Sequence, residues 1–193
     1  MDFSHLFVMF VTFVLINNVV LNQFLGMCPF MGVSKKSSSA LGMGAAVTFV
    51  IVAASLVTYG LYYGVLVPLQ LEYMDLITFI LVIAALVQLV EMIIKKTSPA
   101  LYKALGVYLP LITTNCVVLN VTLNNIINGY NFAEMLTYSI AIPLGFTLVL
   151  YIFSTIRERL DSSETLASWK GNPIALIVAA IMALAFSGLL GLV

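Results

Sequence analysis

The sequence predicts an all-α polytopic membrane protein: six transmembrane helices forming two inverted three-helix repeats, with the first and fourth helices broken. Three observations carry this expectation. The 193 residues are 62% hydrophobic and 8% charged, against roughly 45–50% and about 25% in a soluble domain. The charges fall in clusters that leave long apolar stretches between them. An asparagine-anchored segment of the first stretch recurs in the fourth. Such a composition excludes a cytoplasmic globular enzyme, a nucleic-acid binder with a basic face and a disordered tail. The formal net charge is zero, so no electrostatic partner is implied. Two cysteines and one histidine are too few for a self-contained zinc or iron–sulfur site, which usually takes about four ligands.

The elements follow from where charge is absent. No Asp, Glu, Lys or Arg occurs from Phe3 to Ser34, Ser37 to Leu71, Leu76 to Val90, Ala104 to Ala133, Met135 to Ile156, or Gly171 to Val193. Each stretch is near or above the ~20 residues that cross a ~30 Å hydrocarbon core. The third continues past Glu91 to Ile94. The expected spans are about 3–25, 42–66, 74–94, 104–126, 135–156 and 172–192. Barrel strands would need alternating segments of ~10 residues, which are absent. The first residues lack a basic region and include Asp2, so the first span reads as a retained helix rather than a cleaved signal.

Orientation follows from the basic residues. Lys35 and Lys36 fall in loop 1–2, Lys95, Lys96 and Lys103 at loop 3–4, and Arg157, Arg159 and Lys170 in loop 5–6. All eight lie on one side, taken as cytoplasmic, while the other side holds only Asp2, Glu72, Asp75 and Glu134. Both termini then face outward, across a bacterial cytoplasmic (inner) membrane.

The repeat is read from Asn17-Asn18-Val19-Val20-Leu21-Asn22, which returns as Asn115-Cys116-Val117-Val118-Leu119-Asn120 with five of six positions matching. The chain is one integral membrane domain, with repeat 1 at about 1–96 and repeat 2 at about 97–193. Each half holds an odd number of helices, so the second half enters the membrane upside-down. From Phe3 to Ser34 a continuous helix would run about 48 Å at ~1.5 Å per residue, longer than the bilayer core. That stretch carries Asn17, Asn18, Asn22, Gln23, Gly26 and Pro29, and the fourth carries Pro110, Thr113, Thr114, Asn115 and Asn120. Polar groups and freed carbonyls at such depth need partners. Two broken helices meeting near the midplane would provide them; two ordinary helices joined by amide hydrogen bonds are the simpler alternative.

Cys28 and Cys116 each belong to one of these unusual helices. Three readings compete on residue chemistry alone: a small buried hydrophobe, a disulfide, and metal ligation in which a second protein chain completes the ligand set. Glu91 is an acidic residue well inside an apolar stretch. It reads either as the partner of Lys95, four positions on, or as a carboxylate in a cation or proton path. His5 and Trp169 read as interfacial residues. No Gly-rich dinucleotide, Walker or flavin-attachment motif occurs, so the chain alone is expected to hold no complete active site.

Three segments carry a resemblance to a known family: Phe24-Leu25-Gly26-Met27-Cys28-Pro29-Phe30-Met31-Gly32-Val33-Ser34-Lys35-Lys36, the stretch from Phe79 to Met92, and Leu105 to Cys116. Across nearly its whole length the chain resembles the A-type membrane subunits of Rnf complexes, the ion-translocating ferredoxin:NAD oxidoreductases. It is similar, more distantly, to a membrane component of the sodium-pumping NADH:quinone reductase, where Thr rather than Pro29 is expected after the first cysteine. The resemblance implies a homologous partner of opposite topology, the E-type membrane component of the Rnf complex, among the other Rnf subunits. It also implies a [2Fe–2S] cluster shared with that partner and ligated here by Cys28 and Cys116. Electron relay through such a cluster would be coupled to Na+ or H+ transport, making the chain one component of a translocase. Asn18, Thr114 and Asn115 become possible hydrogen-bond donors around the cluster, and Glu91 a possible ion-path residue. The rival from a different class is an inverted-repeat ion or solute carrier without redox chemistry.

Overall fold

A computed structural model of the chain describes residues 3–34, 37–69, 72–97, 111–112, 115–162 and 171–188, and every regular element among them is helical. The first apolar stretch is not one helix. Helix α1 (Phe3–Val11) runs into a π-helical turn (Thr12–Ile16), and the chain then breaks at Asn17 and Asn18. A short α2 (Val19–Gln23) ends at Phe24, whose φ of 54° is left-handed, and α3 (Met27–Val33) follows Gly26 at φ 76°. The long α4 (Ser37–Leu61) continues through a π-helical turn (Tyr62–Leu66) to Leu69. Then come α5 (Asp75–Thr97), α6 (Cys116–Ile127), α7 (Phe132–Asp161) and α8 (Asn172–Ser187).

Three helical stretches are long and apolar enough to cross a membrane: Ser37–Leu69, Asp75–Ile93 and Phe132–Asp161. They occupy the second, third and fifth expected spans. The other three stretches hold shorter apolar helices, Ser4–Ile16, Cys116–Ile127 and Asn172–Ser187. Two helices start earlier than charge spacing predicts, and each has a local reason. Helix α7 begins at Phe132 rather than 135 because Asn131 and Glu134 form a capping box: the Asn131 N–H donates to Glu134 Oε2 at 3.0 Å. Helix α4 begins at Ser37 rather than 42 because Glu158 Oε1, from the far end of α7, accepts the Ser37 N–H at 2.9 Å.

Helices α4 and α7 form the central pair, and small residues let backbones approach. A Cβ on Gly44 would strike the Thr147 side chain, and one on Gly145 would lie 2.9 Å from the Val14 carbonyl oxygen. The core between them includes Met43, Val47, Ile51, Phe146, Val149 and Phe153, each 1% exposed or less. Phe30 stacks on Phe153 with ring centroids 4.3 Å apart, fixing α3 against α7. Outward, the surface is strongly apolar: Phe49, Leu81 and Leu184 are 62%, 67% and 73% exposed. An apolar exterior of this extent suits lipid or partner helices rather than water.

Asn18 caps the first break. Its Oδ1 accepts the Val20 N–H at 3.0 Å, and its Nδ2 donates to the Val14 carbonyl at 3.3 Å. The residue is 1% exposed, so neither backbone group has water as a substitute. Asn18→Ala is therefore expected to destabilise the protein by about 1–2 kcal/mol, read as a lower thermal midpoint in detergent. An unchanged midpoint would mean the break is held by packing alone.

Candidate functional site around Cys28 and Cys116

The second break mirrors the first. Asn115, at φ −72° and ψ 115°, caps α6 through Oδ1, which accepts the Val117 N–H at 3.1 Å. Asn18 does the same for α2 at φ −68° and ψ 124°. The matching caps put Asn18, not Asn17, opposite Asn115, one residue away from the register of the sequence match. The reason is geometric: a capping Oδ1 must reach the N–H two residues on. The Asn115 cap places Cys116 on the first residue of α6.

Cys28 reaches the same place by another route. It lies on the second residue of α3, directly after the reversal made by Phe24 and Gly26. The Gly26 N–H donates to Cys116 Sγ at 3.0 Å, although the two residues are distant in sequence. Gly26 can do this because nothing projects from it. A Cβ there would lie 2.8 Å from Val117 Cγ2 and 2.9 Å from Phe146 Cε2. A second cross-break bond joins the same elements, from Asn120 Nδ2 to Gln23 Oε1 at 3.2 Å.

Both cysteines are free and exposed, whereas their neighbours Pro29, Phe30, Val117 and Val118 are buried. That arrangement fits neither a disulfide nor a small core hydrophobe. It offers two exposed sulfur donors, and the backbone that bonds Cys116 Sγ lies two residues before Cys28. Among the described residues no group of three or more His, Cys, Asp or Glu side chains lies together, so these residues supply at most part of a metal's ligand set.

The polar surroundings differ between the two breaks. Asn18 has both ends of its amide committed to backbone. Asn115 is 4% exposed, and its Nδ2 is buried without a hydrogen-bond partner among the described residues. A buried amide donor left unmet costs about 1–3 kcal/mol, and this one is closed off inside the chain. Thr114 lies outside the described residues. The donor set thus fits part of an iron–sulfur ligand set in two respects: two exposed thiols, and a backbone N–H already aimed at one sulfur.

Glu91 sits apart from the cysteines. It is half-buried on α5 and lines a crevice of about 30 Å³ with Ala46, Phe49, Val50, Val87, Val90 and Ile112. That volume holds about one water. Ile112, in that lining, accepts the Asn115 N–H on its carbonyl at 3.3 Å.

Sequence reasoning places Arg157 and Arg159 in loop 5–6, whereas α7 runs on to Asp161 and holds both. Its charge predicts that Arg157 faces water, but it is 4% exposed. Contacts with α3 and the start of α8 bury it.

Comparison with known proteins gives a consistent result. The model of the Rnf-Nqr membrane subunit family matches residues 6–193. The chain is 58% identical over 179 residues, 93% of each chain, to the A-type subunit of the Na(+)-translocating ferredoxin:NAD(+) oxidoreductase complex of Acetobacterium woodii. It is 55% identical over 180 residues, again 93% of each chain, to the A-type subunit of the ion-translocating oxidoreductase complex of Syntrophotalea carbinolica. The corresponding protein of Serratia proteamaculans is 53% identical over 185 residues, 96% of each chain.

Proposed function

The chain belongs to the Rnf-Nqr family of membrane subunits, and from that premise we propose that it is the electron-relaying membrane component of an ion-translocating ferredoxin:NAD+ oxidoreductase complex. Cys28 and Cys116 hold one side of a [2Fe–2S] cluster, and a homologous partner of opposite topology holds the other. The observation that carries this reading is the bond from the Gly26 N–H to Cys116 Sγ, which ties the segment just before Cys28 to the other cysteine, both thiols being exposed. When bound, such a centre supplies one-electron transfer at a depth that no single step across a ~30 Å core reaches.

The chain's own residues do the rest. Cys116, at the N-terminus of the twelve-residue α6, sits where a helix favours negative charge. Gly26 keeps the backbone close and donates to sulfur. Flanking apolar residues such as Phe24, 59% exposed, give the partner a surface that excludes water. The six spans form two inverted repeats hinged at the Asn18 and Asn115 breaks, with both termini on the outer face of the bacterial cytoplasmic membrane. The test is iron, acid-labile sulfide and electron paramagnetic resonance on the chain co-purified with its partner. An intact, anaerobically prepared complex without iron would remove the relay role and leave a carrier or an anchor for the other components.

Coupling to Na+ or H+ involves Glu91, whose carboxylate lines the crevice beside the second break. A charge-assisted contact is worth about 1.5–3 kcal/mol against about 0.5–1.5 for a neutral one, a difference of about tenfold in ion affinity. Glu91→Gln is thus expected to raise the ion concentration needed for half-maximal turnover about tenfold at unchanged iron content, while Glu134→Gln does not. Equal behaviour of the two variants in vesicle transport would exclude Glu91 from the path.

A further inference from the structure

Arg157 is the one arginine among the buried described residues, and its partners bear on the cysteine site. Its Nη1 donates to the Met31 carbonyl at 2.9 Å and to Ser34 Oγ at 2.8 Å. Its Nη2 donates to Asn172 Oδ1 at 3.3 Å, at the start of α8. All three acceptors are neutral. Glu158, the adjacent carboxylate, turns away to the Ser37 N–H. Among the described residues, a buried cation whose hydrogen bonds go to neutral groups is costly to keep. A guanidinium fork that ties the end of α3 to α7 and α8 accounts for its geometry; it does not require a charge.

We propose that Arg157 is a positioning residue for the metal centre held by Cys28 and Cys116, and that its buried charge favours the reduced form of that centre; this rests on the cluster reading above. Met31 is three residues past Cys28, about 4.5 Å of helix rise. The guanidinium bonded to its carbonyl is therefore on the order of 10 Å from the Cys28 backbone. A fixed unit charge at about that range, at an effective dielectric near 20, shifts a one-electron equilibrium by roughly tenfold. An added electron makes the centre more negative, so a nearby cation raises its midpoint potential and loss of that cation lowers it.

The experiment is a redox titration followed by electron paramagnetic resonance, with iron content, on the complex co-purified with its partner. Asn172→Asp is the principal variant, because it keeps the acceptor shape and sets a carboxylate against Arg157. It should lower the reduced-to-oxidised ratio at fixed ambient potential about tenfold, which is about 59 mV for a one-electron couple, at full iron content. Arg157→Gln should move the midpoint the same way, and Arg157→Lys, which keeps the charge, should move it far less. A purely structural Arg157 predicts the reverse pattern: loss of iron in both arginine variants and no shift in Asn172→Asp. An unmoved midpoint in iron-replete Asn172→Asp overturns the proposal, even if Arg157→Gln fails to assemble. Absence of iron from the wild-type complex would instead overturn the cluster reading itself, and the role of Arg157 with it.

Discussion

Cys116→Ser and, separately, Cys28→Ser are expected to give a complex that assembles yet carries background iron and sulfide and transfers no electrons. Both side chains are exposed, so their exchange leaves no cavity in the core. A serine hydroxyl at position 116 can still accept the Gly26 N–H that now reaches sulfur at 3.0 Å. The local fold thus survives while the soft thiolate donor is lost, and a cluster lacking one of its ligands is not retained. Ion transport should fall with electron transfer, because the two share the same relay. The readouts are component stoichiometry after purification, iron and sulfide content, and paramagnetic resonance of the reduced complex. Normal iron in either variant would return that cysteine to the status of an ordinary surface residue. Silent behaviour of both would favour a carrier or anchor role.

Gly26→Ala should damage the same site from the backbone side. The new methyl meets Val117 Cγ2 and Phe146 Cε2 at 2.8 and 2.9 Å, closer than real contacts allow. Residue 26 also holds φ at 76°, a region that costs a non-glycine residue roughly 1–2 kcal/mol. Overpacking adds about 1–3 kcal/mol, for a combined loss of roughly 2–5 kcal/mol. Relief requires α3 to move away from α6 and α7, which withdraws the Gly26 N–H from Cys116. Iron content should therefore fall together with the thermal midpoint. Gly60→Ala is the control: nothing lies within 4 Å of its added carbon, and alanine is favoured over glycine in a helix by roughly 0.5–1 kcal/mol. If Gly26→Ala keeps its midpoint and its iron, the close approach is not required.

Residue chemistry alone carries part of the site. Asparagines in a charge-free stretch have no water to satisfy them, which is why the stretches from Asn17 to Asn22 and from Asn115 to Asn120 are recognisable as places where a helix breaks, although not which asparagine of the first caps it. The role of Cys28 is not legible in that way. The second reversal, at Phe24 and Gly26, has no counterpart in the sequence match, so Cys28 and Cys116 are not equivalent positions of a repeat. Their assignment as ligands comes from family resemblance. Arg157 is legible only as a positive charge. Its burial depends on Met31, Ser34 and Asn172, which come from separate parts of the chain.

The sequence by itself determined that this is a helical membrane protein. Hydropathy and charge spacing act residue by residue and need no knowledge of neighbours. It also determined which stretches could not cross as simple helices, because a buried amide announces its own need for a partner. Tertiary structure alone decided where α4 starts, how α3 seats on α7, and that the Gly26 backbone meets Cys116. Those outcomes depend on contacts between residues far apart in the chain: Glu158 with Ser37, Gly26 with Cys116, Phe30 with Phe153. Such contacts are set by the close approach of α3, α6 and α7, which local sequence does not encode.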